Sequence, residues 1–259
     1  MNNKLRQILI IIAVLAVIGV NVAANVLPIN GLNTGDISDR FDILFVPAGY
    51  VFSIWGLIYL GLLGYAVYQA LPAQSQNPRL RSIDGLFLLS AAANIAWIFL
   101  WHYLLFPWTL IAMITLLLSL IAIYLRLRPT NAPVSVAENW LVRVPFSVYL
   151  GWISVATIAN VTQVLFYLNW NGWGISDVAW AIIMLVVGVI LAGIMAFNER
   201  DPAYVLVFVW AYAGIGVAQA DETYVAVTAW GAAAMLALLA ILALVMRLRR
   251  SPEASVNPG

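Results

Sequence analysis

The sequence has no cysteine and very little charge, and each shortage excludes a class of protein. Without cysteine there can be no disulfide bond and no cysteine-ligated metal ion or cluster. Only 9% of the 259 residues are Asp, Glu, Lys or Arg, whereas a soluble domain carries roughly 25%. The formal net charge of +1 gives no basic field that would attract nucleic acid. A protein with so few charged residues cannot form a well-hydrated surface, so we expect an integral protein of the lipid bilayer.

Long charge-free runs take the place of the missing polar surface. Hydrophobic residues make up 64% of the chain, and a run of about 20 of them suffices for one transmembrane helix. Pro107 divides the run 85–125, which is too long for a single span. The sequence thus predicts an all-α, polytopic membrane bundle of about eight transmembrane helices, at about 5–27, 47–71, 83–104, 107–127, 140–168, 177–197, 203–219 and 224–246.

Basic residues precede the first apolar run, 8–27, as they do in a signal peptide. The run is long enough to span a bilayer, however, and no clear Ala-x-Ala cleavage site follows it, so we expect a retained first helix. With the N-terminus inside, every Lys and Arg except Arg40 falls on the inner side of the eight-helix arrangement. We therefore predict cytoplasmic termini at a bacterial inner (plasma) membrane, with a polar tail at 248–259.

Amide side chains occur at depth in several of the predicted helices. An amide without a partner is costly in hydrocarbon, so each of them must find hydrogen bonds. One interpretation is structural, because small neighbours let two helices approach and the amide then bonds across the contact. The other interpretation is functional, with the amides lining a central cavity. Both interpretations apply to the same set, Asn21, Asn25, Asn94, Asn160 and Gln163.

His102 is the only histidine and lies at the outer end of the third predicted helix. It could ligate a tetrapyrrole metal or serve as a hydrogen-bonding residue at the interface. Tryptophans near the helix ends are typical of an interfacial belt. Those at greater depth either pack against core and lipid or form a wall for a ligand: Trp55, Trp97, Trp152, Trp210 and Trp230.

Known sets of catalytic residues do not occur in the sequence. It contains no Ser–His–Asp set, no P-loop and no cluster of metal ligands. We therefore predict no catalytic residue and no metal site, and we favour binding over an enzymatic function. The predicted spans also contain no buried carboxylate or Lys, so ion-coupled transport would lack its usual residues.

The stretch 45–68 reads FVPAGYVFSIWGLIYLGLLGYAVY, in which Pro47 and Gly49 break the chain just before a long apolar run. Trp55 and Tyr59 are four residues apart and share one helix face. This stretch resembles the second-helix signature of the TspO family, the translocator proteins or tryptophan-rich sensory proteins. Two later stretches are similar to the third-helix and fifth-helix motifs of the family, Asn94-Ile95-Ala96-Trp97 and Tyr149-Leu150-Gly151-Trp152 with Asn160.

The resemblance covers about residues 5–170 and implies a TspO-like five-helix membrane bundle at 1–170. It leaves three additional transmembrane helices at 171–247 unexplained. It implies a pocket capped by the loop after the first helix, and a tetrapyrrole such as a porphyrin, or a sterol, as ligand. The resemblance requires no cofactor, but it implies a porphyrin or haem-type molecule as ligand. It also implies that the protein forms a homodimer. Carried over by position, the ligand-binding residues are Trp55, Tyr59, Asn94, Trp97, Trp152 and Asn160.

We therefore expect a ligand-binding or sensory membrane protein for a flat amphipathic molecule, a tetrapyrrole or a sterol-like compound. Tryptophan and tyrosine offer flat apolar faces to a macrocycle, and an asparagine can bond a carboxylate or carbonyl. Two alternatives stay open. One is a permease that transports a small amphipathic solute, and the other is a structural or pigment-carrying subunit of a larger membrane complex.

Overall fold

The computed structural model describes residues 3–128 and 134–249. Every regular element named within these two ranges is a helix, which confirms the predicted all-α fold. The eight principal helices are α1 (Asn3–Val26), α2 (Gly49–Ala70), α3 (Pro78–His102), α4 (Phe106–Arg126), α5 (Val136–Tyr167), α6 (Asp177–Glu199), α7 (Pro202–Ala218) and α8 (Thr223–Arg249). From residue 250 onward, the predicted polar tail lies outside the described residues.

Length distinguishes α7 from the other seven helices. In the part of the chain that the structure describes, seven helices are long and apolar enough to cross a membrane, whereas α7 is an apolar helix below that length. It has 17 residues, at the lower limit of roughly 17 to 25 residues for a transmembrane span. The predicted bundle of about eight helices therefore consists of seven full spans and one short helix.

Two helices begin earlier than the charge-free runs predict, because polar side chains cap them. The Asn77 side chain accepts the backbone N–H groups of Arg79 and Leu80, and Pro78 occupies the first turn of α3. The Ser135 hydroxyl accepts the N–H of Glu138 at 3.0 Å at the start of α5. The two caps add about a turn to each helix.

The prediction that no span contains a buried carboxylate is wrong. Asp84 of α3 and Arg6 of α1 are both 5% exposed, and Arg6 Nη1 lies 2.8 Å from Asp84 Oδ2. Glu138 at the start of α5 is 3% exposed and lies 3.0 Å from Arg79 Nε. Each carboxylate is neutralised by an arginine of a different helix, and such a pairing is not visible along one chain.

The helices group into two compact units, and each is described by itself. The first unit contains residues 1–43 and 52–170, and the second contains residues 44–51 and 171–259. The first unit thus includes α1, most of α2 and α3 to α5, whereas α6 to α8 belong to the second. The sequence does not suggest that the short segment 44–51 belongs with the last three helices.

In the first unit, glycine lets α2 approach the beginning of α5. A Cβ at Gly61 would lie 2.8 Å from Pro145 Cβ, and one at Gly64 would lie 3.2 Å from Leu141 Cδ2. A π-helical turn at Asn139–Arg143 contains Leu141 and ends two residues before Pro145, and its wider turn suits the proline that follows. The two glycines therefore set the distance between α2 and α5.

In the second unit, glycine has the same effect between α6 and α7. A Cβ at Gly188 would lie 1.9 Å from the hydroxyl oxygen of Tyr212. That hydroxyl donates a 2.8 Å hydrogen bond to the carbonyl of Leu185. Gly188 therefore provides the room in which a buried tyrosine satisfies its hydroxyl within the apolar interior.

Candidate ligand-binding site

Five aromatic residues of α2 and α5 form one cluster in the first unit, and we call it the aromatic wall: Phe52, Trp55, Tyr59, Tyr149 and Trp152. The rings of Trp55 and Tyr59 lie on one face of α2, as their spacing predicts, and they stack at 5.6 Å with an interplanar angle of 23°. Trp55 meets Tyr149 edge-on at 6.0 Å and Trp152 at 6.3 Å, and Phe52 meets Trp152 at 5.7 Å. The structure therefore brings together Trp55, Tyr59 and Trp152 of the predicted set.

Trp152 has a hydrogen-bond donor that the described residues leave unused. The residue is only 3% exposed, and its indole Nε1 has no hydrogen-bond partner among the residues described. Leaving a buried donor unpaired costs roughly 1–3 kcal/mol. Trp55 and Tyr59 beside it are half-buried. The wall thus offers partly accessible ring faces together with one buried N–H group.

Asn94 does not face a cavity freely, because both ends of its amide are bonded. Its Oδ1 accepts a 2.7 Å hydrogen bond from Asn21 Nδ2, and its Nδ2 donates to the Tyr149 hydroxyl at 3.1 Å. Asn21 also donates to the Val17 carbonyl at 2.8 Å. This chain of bonds connects α1, α3 and α5, as the structural interpretation of the amides predicts, and it holds Tyr149 of the aromatic wall.

Trp97 and Asn160 belong to a second cluster, formed by α3, α4 and α5. Trp97 Nε1 donates to Asn160 Oδ1 at 3.3 Å, and Asn160 Nδ2 donates to Thr109 Oγ1 at 3.0 Å. The ring of Trp97 stacks on that of Trp101 at 5.1 Å with an interplanar angle of 15°. Asn160 is 1% exposed, so here too a predicted site amide connects helices.

His102 attaches the loop after α1 to the end of α3. The residue is fully buried, with Nδ1 3.2 Å from the Ile29 carbonyl and Nε2 3.0 Å from Thr34 Oγ1. A carbonyl can only accept, so Nδ1 carries a proton, and in the neutral imidazole Nε2 then accepts from the threonine hydroxyl. Trp101 Nε1 also donates to the Thr34 carbonyl at 3.2 Å. Of the two interpretations of His102, the geometry fits the hydrogen-bonding residue.

The same loop inserts a ring into the second cluster. Phe41 is 8% exposed, stacks on Trp101 at 5.9 Å and meets Phe106 edge-on at 4.9 Å. Phe166 of α5 lies 6.1 Å from it on another side. The loop after α1 is thus tied down by hydrogen bonds and by an apolar anchor, and it covers the second cluster.

Sequence reasoning missed two contributors to this region. Tyr149 appears in a motif that resembles the TspO family, yet only the structure shows its ring in contact with Trp55. Thr109 carries no motif, and its hydroxyl both accepts from Asn160 and donates to the Phe106 carbonyl at 2.6 Å. The sequence indicated the role of Thr109 only by placing a hydroxyl side chain in the middle of a charge-free run.

Among the comparisons with known proteins, one family model matches the chain. The family model for TSPO-like protein matches residues 7–242. The match continues through α6, α7 and most of α8, the part of the chain that the motif resemblance left unexplained. Neither the curated proteins nor the solved structures give a match. Since the match spans most of the chain, and since the helices have the length and composition of membrane spans, this integral membrane protein belongs to the TSPO-like protein family.

Proposed function

We propose that the protein binds a flat amphipathic ligand, a tetrapyrrole such as a porphyrin, against the aromatic wall. The observation that carries the proposal is the unused Nε1–H of Trp152 next to the half-buried rings of Trp55 and Tyr59. A flat apolar macrocycle gains from contact with ring faces. A carboxylate on the rim of the macrocycle could accept a hydrogen bond from the buried Trp152 N–H group. That bond would remove the cost of leaving this donor unpaired.

Family membership supports this proposal in general terms. The TSPO-like family suggests a membrane ligand-binding or sensory role, and the specific ligand is our proposal, taken from what the resemblance implies and consistent with the chemistry of the residues. A sterol-like molecule would fit the same chemistry, because its hydroxyl group can also accept a hydrogen bond. The ligand is bound reversibly in this proposal and is not a cofactor of the fold.

The six predicted site residues divide into three roles under this proposal. Trp55, Tyr59 and Trp152 would contact the ligand directly. Asn94 would act through Tyr149, whose hydroxyl it bonds. Trp97 and Asn160 would stabilise the helices beneath the loop after α1, because they bond each other.

A titration with protoporphyrin IX, followed by the shift of its main absorbance band, tests the proposal in purified protein. We expect saturable binding that Trp55→Ala weakens about tenfold, since the variant loses a ring contact worth roughly 0.5–1.5 kcal/mol in addition to the apolar area that the ring buries. Trp152→Phe keeps the ring and removes only the N–H. It should weaken protoporphyrin binding about fivefold, as expected for the loss of one hydrogen bond of about 1 kcal/mol.

Two controls sharpen this test. Trp173→Phe changes a tryptophan that is 77% exposed, and it should leave the affinity unchanged. An alkyl porphyrin without carboxylates should bind the wild type and Trp152→Phe equally. Linear, non-saturating absorbance changes in the wild type, or full affinity in Trp55→Ala, would contradict the proposal.

One observation favours transport as a second candidate. The buried pair Arg6–Asp84 provides an ionisable group that the sequence analysis did not predict, and an ionisable residue inside a membrane helix is a candidate site for coupling. The test is efflux of a preloaded porphyrin from liposomes that contain the protein. Transport would be supported if Asp84→Asn abolished this efflux while the variant still bound porphyrin. Binding without any flux would leave ligand binding as the function.

A further inference from the structure

We propose that α7 of the second unit positions the start of α2, through Trp210 and Gly214. The contact lies on the segment 45–51, all of which belongs to the second unit together with α6 to α8. Positioning the start of α2 would then be a structural role of the last three helices. The effect on ligand affinity rests on the proposed function, whereas the effect on the segment itself does not.

Gly214 is the point of closest approach. A Cβ at this position would lie 2.1 Å from Val51 Cγ2 and 3.2 Å from Pro47 Cβ. The carbonyl of Gly214 accepts the backbone N–H of Ala48 at 3.1 Å. Val51 is fully buried, so its side chain cannot move aside into solvent. Only glycine at this position leaves room for the segment.

Trp210 holds the end of the segment. Its Nε1 donates a 3.0 Å hydrogen bond to the carbonyl of Val51, and its ring meets that of Tyr50 edge-on at 5.4 Å. Trp210 and Gly214 are four residues apart, so both lie on the same face of α7. One face of one helix therefore bonds the segment at Ala48 and at Val51.

The beginning of the segment is fixed by a third residue of α7. Phe45 is 1% exposed and meets Tyr212 edge-on at 6.2 Å. Tyr212 itself is secured to α6 by its bond to the Leu185 carbonyl. The segment is thus held at both ends and in the middle.

The residues that follow the segment carry the aromatic wall. Phe52 comes directly after Val51, and Trp55 lies one turn further along α2. In a helix each residue adds about 1.5 Å of rise and about 100° of rotation. A change in the conformation at Val51 would therefore reorient both rings. Trp210 and Gly214 are in this sense positioning residues, with no contact to the ligand required.

A pair of alanine variants and a rescue test the proposal. Gly214→Ala places a methyl group against Val51, whereas Gly231→Ala adds a methyl group where no atom lies within 4 Å. Val51→Ala in the Gly214→Ala background removes the obstructing Cγ2 atom. We expect protoporphyrin affinity to fall about tenfold in Gly214→Ala, to stay unchanged in Gly231→Ala, and to return to within about twofold of the Val51→Ala single variant in the double variant.

Trp210→Phe tests the hydrogen bond separately, since it keeps an aromatic ring against Tyr50. Its matched control is Trp180→Phe, which removes a bond of the same kind, from Trp180 Nε1 to the Gly172 carbonyl at 2.9 Å in the same unit. We expect about fivefold weaker porphyrin binding in the first variant, as for one lost hydrogen bond, and no change in the second.

A second readout needs no ligand. The chain has no cysteine, so Ser53→Cys, at an exposed position just after the segment, gives a single reactive thiol. We expect the rate of maleimide labelling at this thiol to change severalfold in the Gly214→Ala and Trp210→Phe backgrounds. It should not change in the Gly231→Ala and Trp180→Phe backgrounds, and Val51→Ala should restore it in the first.

The two readouts separate failure of this proposal from failure of the proposed function. Unchanged labelling in both α7 variants would overturn the positioning role, whatever the ligand data show. Unchanged porphyrin affinity in both α7 variants, with binding weakened about tenfold in Trp55→Ala, would overturn the transmission of this effect to the aromatic wall and leave the ligand site intact. Changed labelling with rescue would support it even if porphyrin did not bind.

Discussion

The amide of Asn94 donates a 3.1 Å hydrogen bond to the hydroxyl of Tyr149, and this bond connects the two interpretations of the buried amides. Asn94 is bonded between helices, as a structural amide would be. Its partner is also a member of the aromatic wall, because Tyr149 touches Trp55. Stability and ligand affinity should therefore change together when this bond is removed.

Replacing Asn94 by Ala should destabilise the bundle by about 1–3 kcal/mol, because the Tyr149 hydroxyl and the Asn21 amide lose a partner in a buried environment. Denaturant titration in detergent, followed by tryptophan fluorescence, measures this loss. Asn25→Ala is the control, since Asn25 is exposed and, among the described residues, its side chain bonds within α1, to the Asn21 carbonyl. Equal unfolding midpoints for both variants would show that the buried chain of bonds contributes no stability.

His102→Ala should release the loop after α1, because it removes bonds to the Ile29 carbonyl and the Thr34 hydroxyl. We expect faster proteolysis between residues 30 and 40 and little change elsewhere. If haem binds, its absorption maximum should be the same in the variant, because the imidazole is already bonded at both nitrogens. A shifted maximum together with unchanged proteolysis would identify His102 as a haem ligand instead.

The Arg6–Asp84 pair should show strong coupling. Asp84→Leu leaves the arginine charge buried without its partner, at a cost of about 3–5 kcal/mol. Arg6→Met should cost a similar amount, and the double variant should be more stable than either single variant. A double-mutant cycle by denaturant titration measures the coupling. Additive losses would indicate that the two charges act independently.

Gly61→Ala should separate α2 from the start of α5, since its new methyl group would lie 2.8 Å from Pro145 Cβ. We expect a loss of about 1–3 kcal/mol, as for other overpacked interiors. Gly56→Ala is the matched control, because a Cβ there meets no atom within 4 Å and alanine is the better helix former. The prediction fails if both variants unfold at the same denaturant concentration.

The sequence predicts the membrane class, the helix count and the shared face of Trp55 and Tyr59, because these depend on composition and on the helical repeat. It does not predict the partners of Asp84 and Glu138, because each arginine comes from another helix. The roles of Asn94 and Asn160 were open for the same reason. An amide in a span must bond something, but the sequence does not say whether the partner is Tyr149, Thr109 or a ligand.

The course of the chain through the two units has a consequence for how the protein can be divided. The backbone passes from one unit to the other after residues 43, 51 and 170, so the second unit consists of two separate pieces of sequence. A break of the chain between residues 170 and 171 would leave Phe45–Val51 on the N-terminal fragment and its binding face, on α7, on the other. The last three helices therefore do not form an independent domain that can be removed intact. The two fragments should bind each other through this short segment.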